Sequence, residues 1–117
     1  MPTTYTGGCH CGAVRYQVTL DSSQPVIQCN CSLCSRTGTL LAFVSPDQFT
    51  LEAGDGSLTD YQFNKHVIHH VFCNICGIRS FAHGLGPGGP MIAINARCLD
   101  GVDPDTLAIA AFDGKSR

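Results

Sequence analysis

Three thiols fall within six residues at Cys29-Asn30-Cys31-Ser32-Leu33-Cys34. A lone buried cysteine packs as a small hydrophobe, but cysteines set this closely among polar residues read as ligands. As C-x-C-x-x-C, the segment offers three thiolates to one metal ion and leaves the fourth position open. Two pairs stand apart from it, a C-x-C at Cys9 and Cys11 and a C-x-x-C at Cys73 and Cys76, while Cys98 is single. Tetrahedral Zn²⁺ takes four ligands at about 2.0 to 2.3 Å, and a structural site closes with protein ligands alone. The two pairs complete one such Cys₄ site, which would tie the N-terminal knuckle to the middle of the chain. In so small a chain that staple would supply much of the folding free energy. Cys29, Cys31 and Cys34 are then one ligand short, the mark of a catalytic zinc whose fourth position takes water or substrate. Closure by Cys98 or by a histidine such as His69 stays open as an alternative, and so does an iron–sulfur cluster.

Such ligands need tight turns at the ends of strands, and the flanking segments supply them. Gly7, Gly8 and Gly12 bracket the first pair, where positive φ values are expected of a knuckle. Ala13 to Leu20 alternates apolar and polar and predicts a strand with Val14, Tyr16, Val18 and Leu20 on one face. Val26 to Gln28 is a short strand leading into Cys29, and Ser35 to Gly38 closes a single helical turn. Leu40 to Ser45 is a continuous apolar run, which predicts a strand buried on both faces. Further strands are expected over Phe49 to Glu52, Leu58 to Phe63, Val67 to Cys73, Ile78 to His83, Met91 to Ala96 and Leu107 to Phe112. In the fourth-last of these, period 2 puts His69 and Cys73 on one face and His70 on the other. Gly77 closes the second knuckle, and Gly84 to Pro90 reads as a flexible hairpin tip. No helical period persists over three turns, so the fold is expected to be mainly β with little helix.

The 117 residues leave room for one domain spanning 1–117. With 44% hydrophobic and 14% charged residues, the chain is too apolar to stay disordered. Its formal charge of -2 gives no footprint for nucleic acid or anionic lipid. Seven thiolates and two Zn²⁺ would take that charge to about -5, further from any polyanion. No apolar run reaches transmembrane length, and the N-terminus lacks the pattern of a signal peptide. The expectation is therefore a cytoplasmic protein with reduced thiols, a disulfide framework being the alternative in a secreted one. Uncovered strand edges leave both monomer and homodimer open.

Three segments together resemble one family's signature. They are Gly8-Cys9-His10-Cys11-Gly12-Ala13-Val14-Arg15, Cys29-Asn30-Cys31-Ser32-Leu33-Cys34 and Phe72-Cys73-Asn74-Ile75-Cys76-Gly77. In order and spacing they are similar to the glutathione-dependent formaldehyde-activating enzymes, also called the centromere protein V family. The resemblance implies a β-tent of short antiparallel strands stapled by a structural zinc at Cys9, Cys11, Cys73 and Cys76. It implies a second, catalytic zinc at Cys29, Cys31 and Cys34, hence two Zn²⁺ per chain. The implied activity is that of a carbon–sulfur lyase on a thiol–aldehyde adduct such as S-hydroxymethylglutathione, with glutathione and formaldehyde as its halves. Where many family members carry a basic residue after the third cysteine, this chain has Ser35, with Arg36 following.

Other residues carry two readings each. Arg36, Lys65 and Arg79 are either carboxylate partners for glutathione or solvated surface charge. His10 is either solvent-facing or a proton carrier. His69 and His70 are either strand residues or reach the open zinc. Cys98 is either a buried structural thiol or the nucleophile of a thiol oxidoreductase of the kind seen in methionine-R-sulfoxide reductases. A zinc-binding interaction module without catalysis is the remaining alternative.

Overall fold

The computed structural model describes residues 2–21, 24–62, 68–86 and 89–112. Lys65, together with Phe63, Val67, Pro87 and Gly88, lies outside them. The strands are β1 (Pro2–Gly8), β2 (Arg15–Asp21), β3 (Val26–Cys29), β4 (Leu40–Val44), β5 (Phe49–Ala53) and β6 (Leu58–Tyr61). After them come β7 (His70–Cys73), β8 (Phe81–Gly86), β9 (Gly89–Asn95) and β10 (Ile109–Phe112), with the single helical turn α1 (Cys34–Thr37) between β3 and β4. The fold is mainly β, as the sequence predicts, and among the described residues no helix is long and apolar enough to cross a membrane.

Two sheets and a ribbon share one core. The first sheet has the order β1-β2-β5, the second β10-β3-β4-β9-β8, and β6 with β7 forms the ribbon. Val14, Tyr16 and Val18 are fully buried and Leu20 is partly so, which matches the face read from the alternation. They pack against Leu40, Val44 and Ile94 of the second sheet. The Tyr16, Phe49 and Phe81 rings meet at the centre, with centroids 5.2 Å apart for Tyr16–Phe49 and 4.8 Å for Phe49–Phe81. Bridges from Gly7 to Leu99 and from His69 to His83 stitch the three pieces together.

Four local features differ from the sequence reading. The first is β1, a strand that reading does not include, which pairs with β2 along its whole length from Pro2↔Asp21 to Gly8↔Arg15. Its threonines show β-propensity but no apolar alternation, so sequence periodicity passes over it. Next, the run at β4 is not buried on both faces: Leu40 and Val44 are buried while Phe43 is 49% exposed. Its second apolar face instead lines a groove. Residues Ile78 to Ser80, read as strand, precede β8, and Asn95 holds them, its Nδ2 donating to the Arg79 carbonyl at 3.0 Å and its backbone N–H to the Ser80 carbonyl at 2.9 Å. Finally, β10 lies parallel to β3, with Phe112 beside Cys29, while the other strand pairs are antiparallel.

Candidate metal centres

Each thiol pair sits where a strand ends. Gly8 closes β1, and the chain turns through Cys9 to Gly12 before entering β2. Gly12 takes φ 85° and Gly77 takes φ 82°, a region most side chains avoid, so both knuckles close on glycine. Gly7 and Gly8 are needed for a different reason than the expected positive φ. A Cβ on Gly8 would meet the Val14 carbonyl at 2.1 Å, and one on Gly7 would meet the Cys98 carbonyl at 2.7 Å. That close approach lets the Val14 N–H donate to Cys9 Sγ at 3.3 Å. In the second knuckle the Ile75 and Cys76 N–H groups donate to Cys73 Sγ at 3.4 and 3.5 Å.

The fold brings Cys9, Cys11, Cys73 and Cys76 together with their sulfurs all within 4.8 Å of one another. Cys9 and Cys11 sulfurs are 3.5 Å apart, and those of Cys11 and Cys73 are 3.6 Å apart. Four sulfurs at about 2.3 Å from one tetrahedral ion stand about 3.8 Å apart. The donor set and spacing therefore fit a closed metal site. All eight cysteines are free thiols. Backbone N–H groups of Cys11 and Ile78 lower the Cys76 thiol to about 6, so part of the set is poised as thiolate.

Cys29, Cys31 and Cys34 form a second group within the same 4.8 Å limit, all partly buried. Cys29 ends β3 and Cys34 begins α1, so the three side chains converge from one short loop. Cys31 N–H donates to Cys29 Sγ at 3.4 Å and Cys34 N–H to Cys31 Sγ at 3.3 Å. The loop is braced by Ser35 Oγ to the Asn30 carbonyl and by Arg36 Nη1 to the Ser32 carbonyl, both at 2.9 Å. Arg36 thus clamps the loop backbone from an exposed position, outside the groove described below. Burial, then the thiolate character of Cys31, pushes the Cys34 thiol well above its usual range. Burial raises Cys31 too, but the backbone hydrogen bond from Cys34 and bonds from the neighbouring thiols outweigh it. Three such thiols shed their protons together only when a cation joins them, which is what a metal site does.

Neither Cys98 nor His69 belongs to that group among the described residues. His69 Nδ1 pairs with Asp60 Oδ2 at 2.7 Å, and its ring stacks on His83 with centroids 4.8 Å apart. Cys98 Sγ points to the Arg79 carbonyl at 3.8 Å, and burial lifts its thiol to about 11, the reverse of an activated nucleophile. His10 is exposed beside the first group.

The three-thiol group opens on a groove of about 340 Å³ that periodicity did not reveal. Ile27, Leu41, Phe43, Phe81, Ala93 and Phe112 form its apolar walls, and His70 and Arg79 face into it. Its signal was the fully apolar run at β4, whose outward residues are Leu41 and Phe43. Burial, then the Arg79 charge, lowers the His70 imidazole below its ordinary value, so it is neutral at neutral pH. Burial lowers the Arg79 guanidinium as well, partly offset by Cys34. Among the described residues, no carboxylate lines this groove.

Burial, and secondarily His69, lowers His83 in the same way. A depressed imidazole contributes stability above the ordinary value of about 6.5 and loses it as pH falls through the folded value. Between about pH 7 and about pH 5, the parent is expected to lose more melting temperature than a His83→Leu variant. Equal losses in thermal scans at both pH values would show that His83 contributes nothing to acid sensitivity.

A family model described as glutathione-dependent formaldehyde-activating enzyme matches residues 4–111. A crystal structure of a Rhodobacter sphaeroides protein superposes with a TM-score of 0.78 at 30% identity, covering 90% of this chain and 99% of that one.

Proposed function

Matched from residue 4 to 111, the chain belongs to the glutathione-dependent formaldehyde-activating enzyme family, and on that premise we propose that it is a zinc-dependent carbon–sulfur lyase acting on a thiol–aldehyde adduct. The adduct that the family description suggests is S-hydroxymethylglutathione. The observation that carries the reading is the position of three converging thiols at the end of an apolar groove that also holds a histidine and an arginine. Eight free thiols also suit a reducing compartment such as the cytoplasm.

Cys9, Cys11, Cys73 and Cys76 would hold a structural Zn²⁺, and Cys29, Cys31 and Cys34 a second one with a vacant position. That second ion would supply Lewis acidity towards sulfur or oxygen. In the cleaving direction, the carbon–sulfur bond breaks and its electron pair stays on sulfur. The hydroxyl hydrogen leaves as a proton and the carbon–oxygen double bond forms, so no oxidant or reductant is needed. His70 accepts that proton at an imidazole nitrogen and returns it to the departing sulfur. Arg79 places its positive charge towards the thiolate as it develops. The apolar walls exclude water and hold the two halves in register, which removes the entropy cost of their encounter in the reverse direction.

The zinc-loaded protein is expected to accelerate exchange between formaldehyde, glutathione and their adduct above the spontaneous rate. Exchange spectroscopy by NMR, with metal counted in the same sample, measures it. Two zinc ions per chain with only the spontaneous rate would reject the lyase reading and leave a zinc-binding interaction module.

A further inference from the structure

The groove is far larger and drier than one-carbon chemistry requires. Its volume is about 340 Å³, within the range of about 300 to 1,000 Å³ for small-molecule sites. A formaldehyde unit displaces on the order of one or two waters, each about 30 Å³ of liquid. Apolar volume left unfilled beside a reacting centre contributes nothing to holding the transition state.

The polar half of a peptide-like thiol finds few partners along its apolar walls. Thr37 and Thr39 hydroxyls are bonded to each other at 2.8 Å, and the Asn95 amide is engaged at both ends by the Arg79 carbonyl and the Arg97 N–H. Peptide amides laid along Ile27, Leu41, Phe43, Ala93 and Phe112 would be desolvated with few partners, at a cost of several kcal/mol. A second cavity of different character adjoins the groove, sharing Thr37, Thr39, Arg79 and Asn95 with it. Its lining includes His10, Arg15 and Arg97, of which Arg15 is ion-paired with Asp100. Arg79 stands at the junction beside the reacting sulfur, and Arg97 gives a carboxylate of the thiol half a cation on the polar side. The groove remains for the other half of the adduct.

The geometry points to an aldehyde half that carries a hydrocarbon group, branched-alkyl or phenyl in size, seated against Leu41, Phe43 and Phe112. The inference rests on the lyase reading above and names its substrate class. The bond changes are those already given, with the hydrocarbon on the carbonyl carbon as a spectator.

With glutathione as the fixed thiol, kcat/KM is to be compared for formaldehyde, isobutyraldehyde and benzaldehyde on zinc-loaded protein. The expected order rises with the hydrocarbon, by roughly tenfold or more, the discrimination that small apolar increments give in a hydrophobic pocket. Ala93→Leu, which narrows the groove, is expected to shrink that ratio. An activity-free measurement accompanies it: benzyl alcohol, but not methanol at equal concentration, shifts the amide resonances of Leu41, Phe43 and Phe112. Turnover of formaldehyde without preference for the larger aldehydes, and without benzyl alcohol shifts, overturns the substrate class while leaving the lyase standing. Turnover of no aldehyde at all, with benzyl alcohol still binding there, overturns the lyase reading and keeps an apolar-ligand groove. In a parallel series with formaldehyde fixed and benzyl mercaptan in place of glutathione, a gain that follows the hydrocarbon on the thiol reverses the assignment of the two halves and overturns it.

Discussion

Cys73→Ser is expected to unfold the protein. Cys73 is fully buried at the end of β7, and its sulfur stands 3.6 Å from that of Cys11, a residue 62 positions earlier in the chain. The four-thiol group therefore joins the β1–β2 turn to the ribbon of β6 and β7, which is otherwise tied to the sheets by the short turn from β5 into β6, the His69–His83 bridge and core side chains. Serine keeps the volume but loses the ionisable sulfur, so Cys76 alone would be left to hold the ion from the ribbon side. Structural zinc contributes about 10 to 16 kcal/mol in small metallo-domains, against a net stability of about 5 to 15 kcal/mol for a whole domain. The loss of that ion thus exceeds what the core can spare. The variant should show no cooperative melt by circular dichroism, and a chelator strong enough to strip both ions should reproduce this in the parent. A Cys73→Ser protein melting within a few degrees of the parent would falsify the assignment of this group as the structural staple.

Local features of both thiol groups were legible because spacing and turn chemistry are properties of adjacent residues. C-x-C and C-x-x-C present two sulfurs from one turn whatever the rest of the chain does, and Gly12 and Gly77 stand where the φ values demand them. The pairing of Cys9 and Cys11 with Cys73 and Cys76 followed from counting ligands. The groove was not legible in this way. It is assembled from β3, β4, β8, β9 and β10, and the neighbour that matters most, Phe112 beside Cys29, depends on a parallel pairing between chain segments 83 positions apart in the register. The apolar run Leu40 to Val44 showed that both faces of β4 meet apolar surroundings. It could not show that one of those surroundings is an open cavity, since a buried face and a groove wall ask for the same side chains. His69 and His70 illustrate the same limit. Period 2 separated their faces correctly, yet only the ribbon's position turns His70 to the groove and His69 to Asp60.

Cys31→Ser is expected to abolish turnover and leave the fold standing, the opposite outcome from Cys73→Ser. Cys29, Cys31 and Cys34 all lie on one loop, so their convergence staples nothing distant. That loop keeps its shape through bonds that serine does not touch: Ser35 Oγ to the Asn30 carbonyl, Arg36 Nη1 to the Ser32 carbonyl, and the Ser35 N–H to the Cys31 carbonyl at 2.9 Å. The change in melting temperature should be small, since about 1 kcal/mol moves a domain of this size by only about 4 to 8 °C. What serine removes is the central thiolate, the one whose neighbours hold it below the usual thiol range. A hydroxyl does not ionise there and binds a borderline-soft ion weakly. Lewis acidity worth several kcal/mol to the transition state would go with it, a loss on the order of 10³-fold in kcat/KM. Metal analysis should then fall from two zinc ions per chain to one, the remaining ion being the one at Cys9, Cys11, Cys73 and Cys76. Turnover near the parent's rate in a folded, one-zinc Cys31→Ser protein would separate the chemistry from the three-thiol loop. It would also leave His70 and Arg79 as the groups from which any catalysis in the groove must be explained.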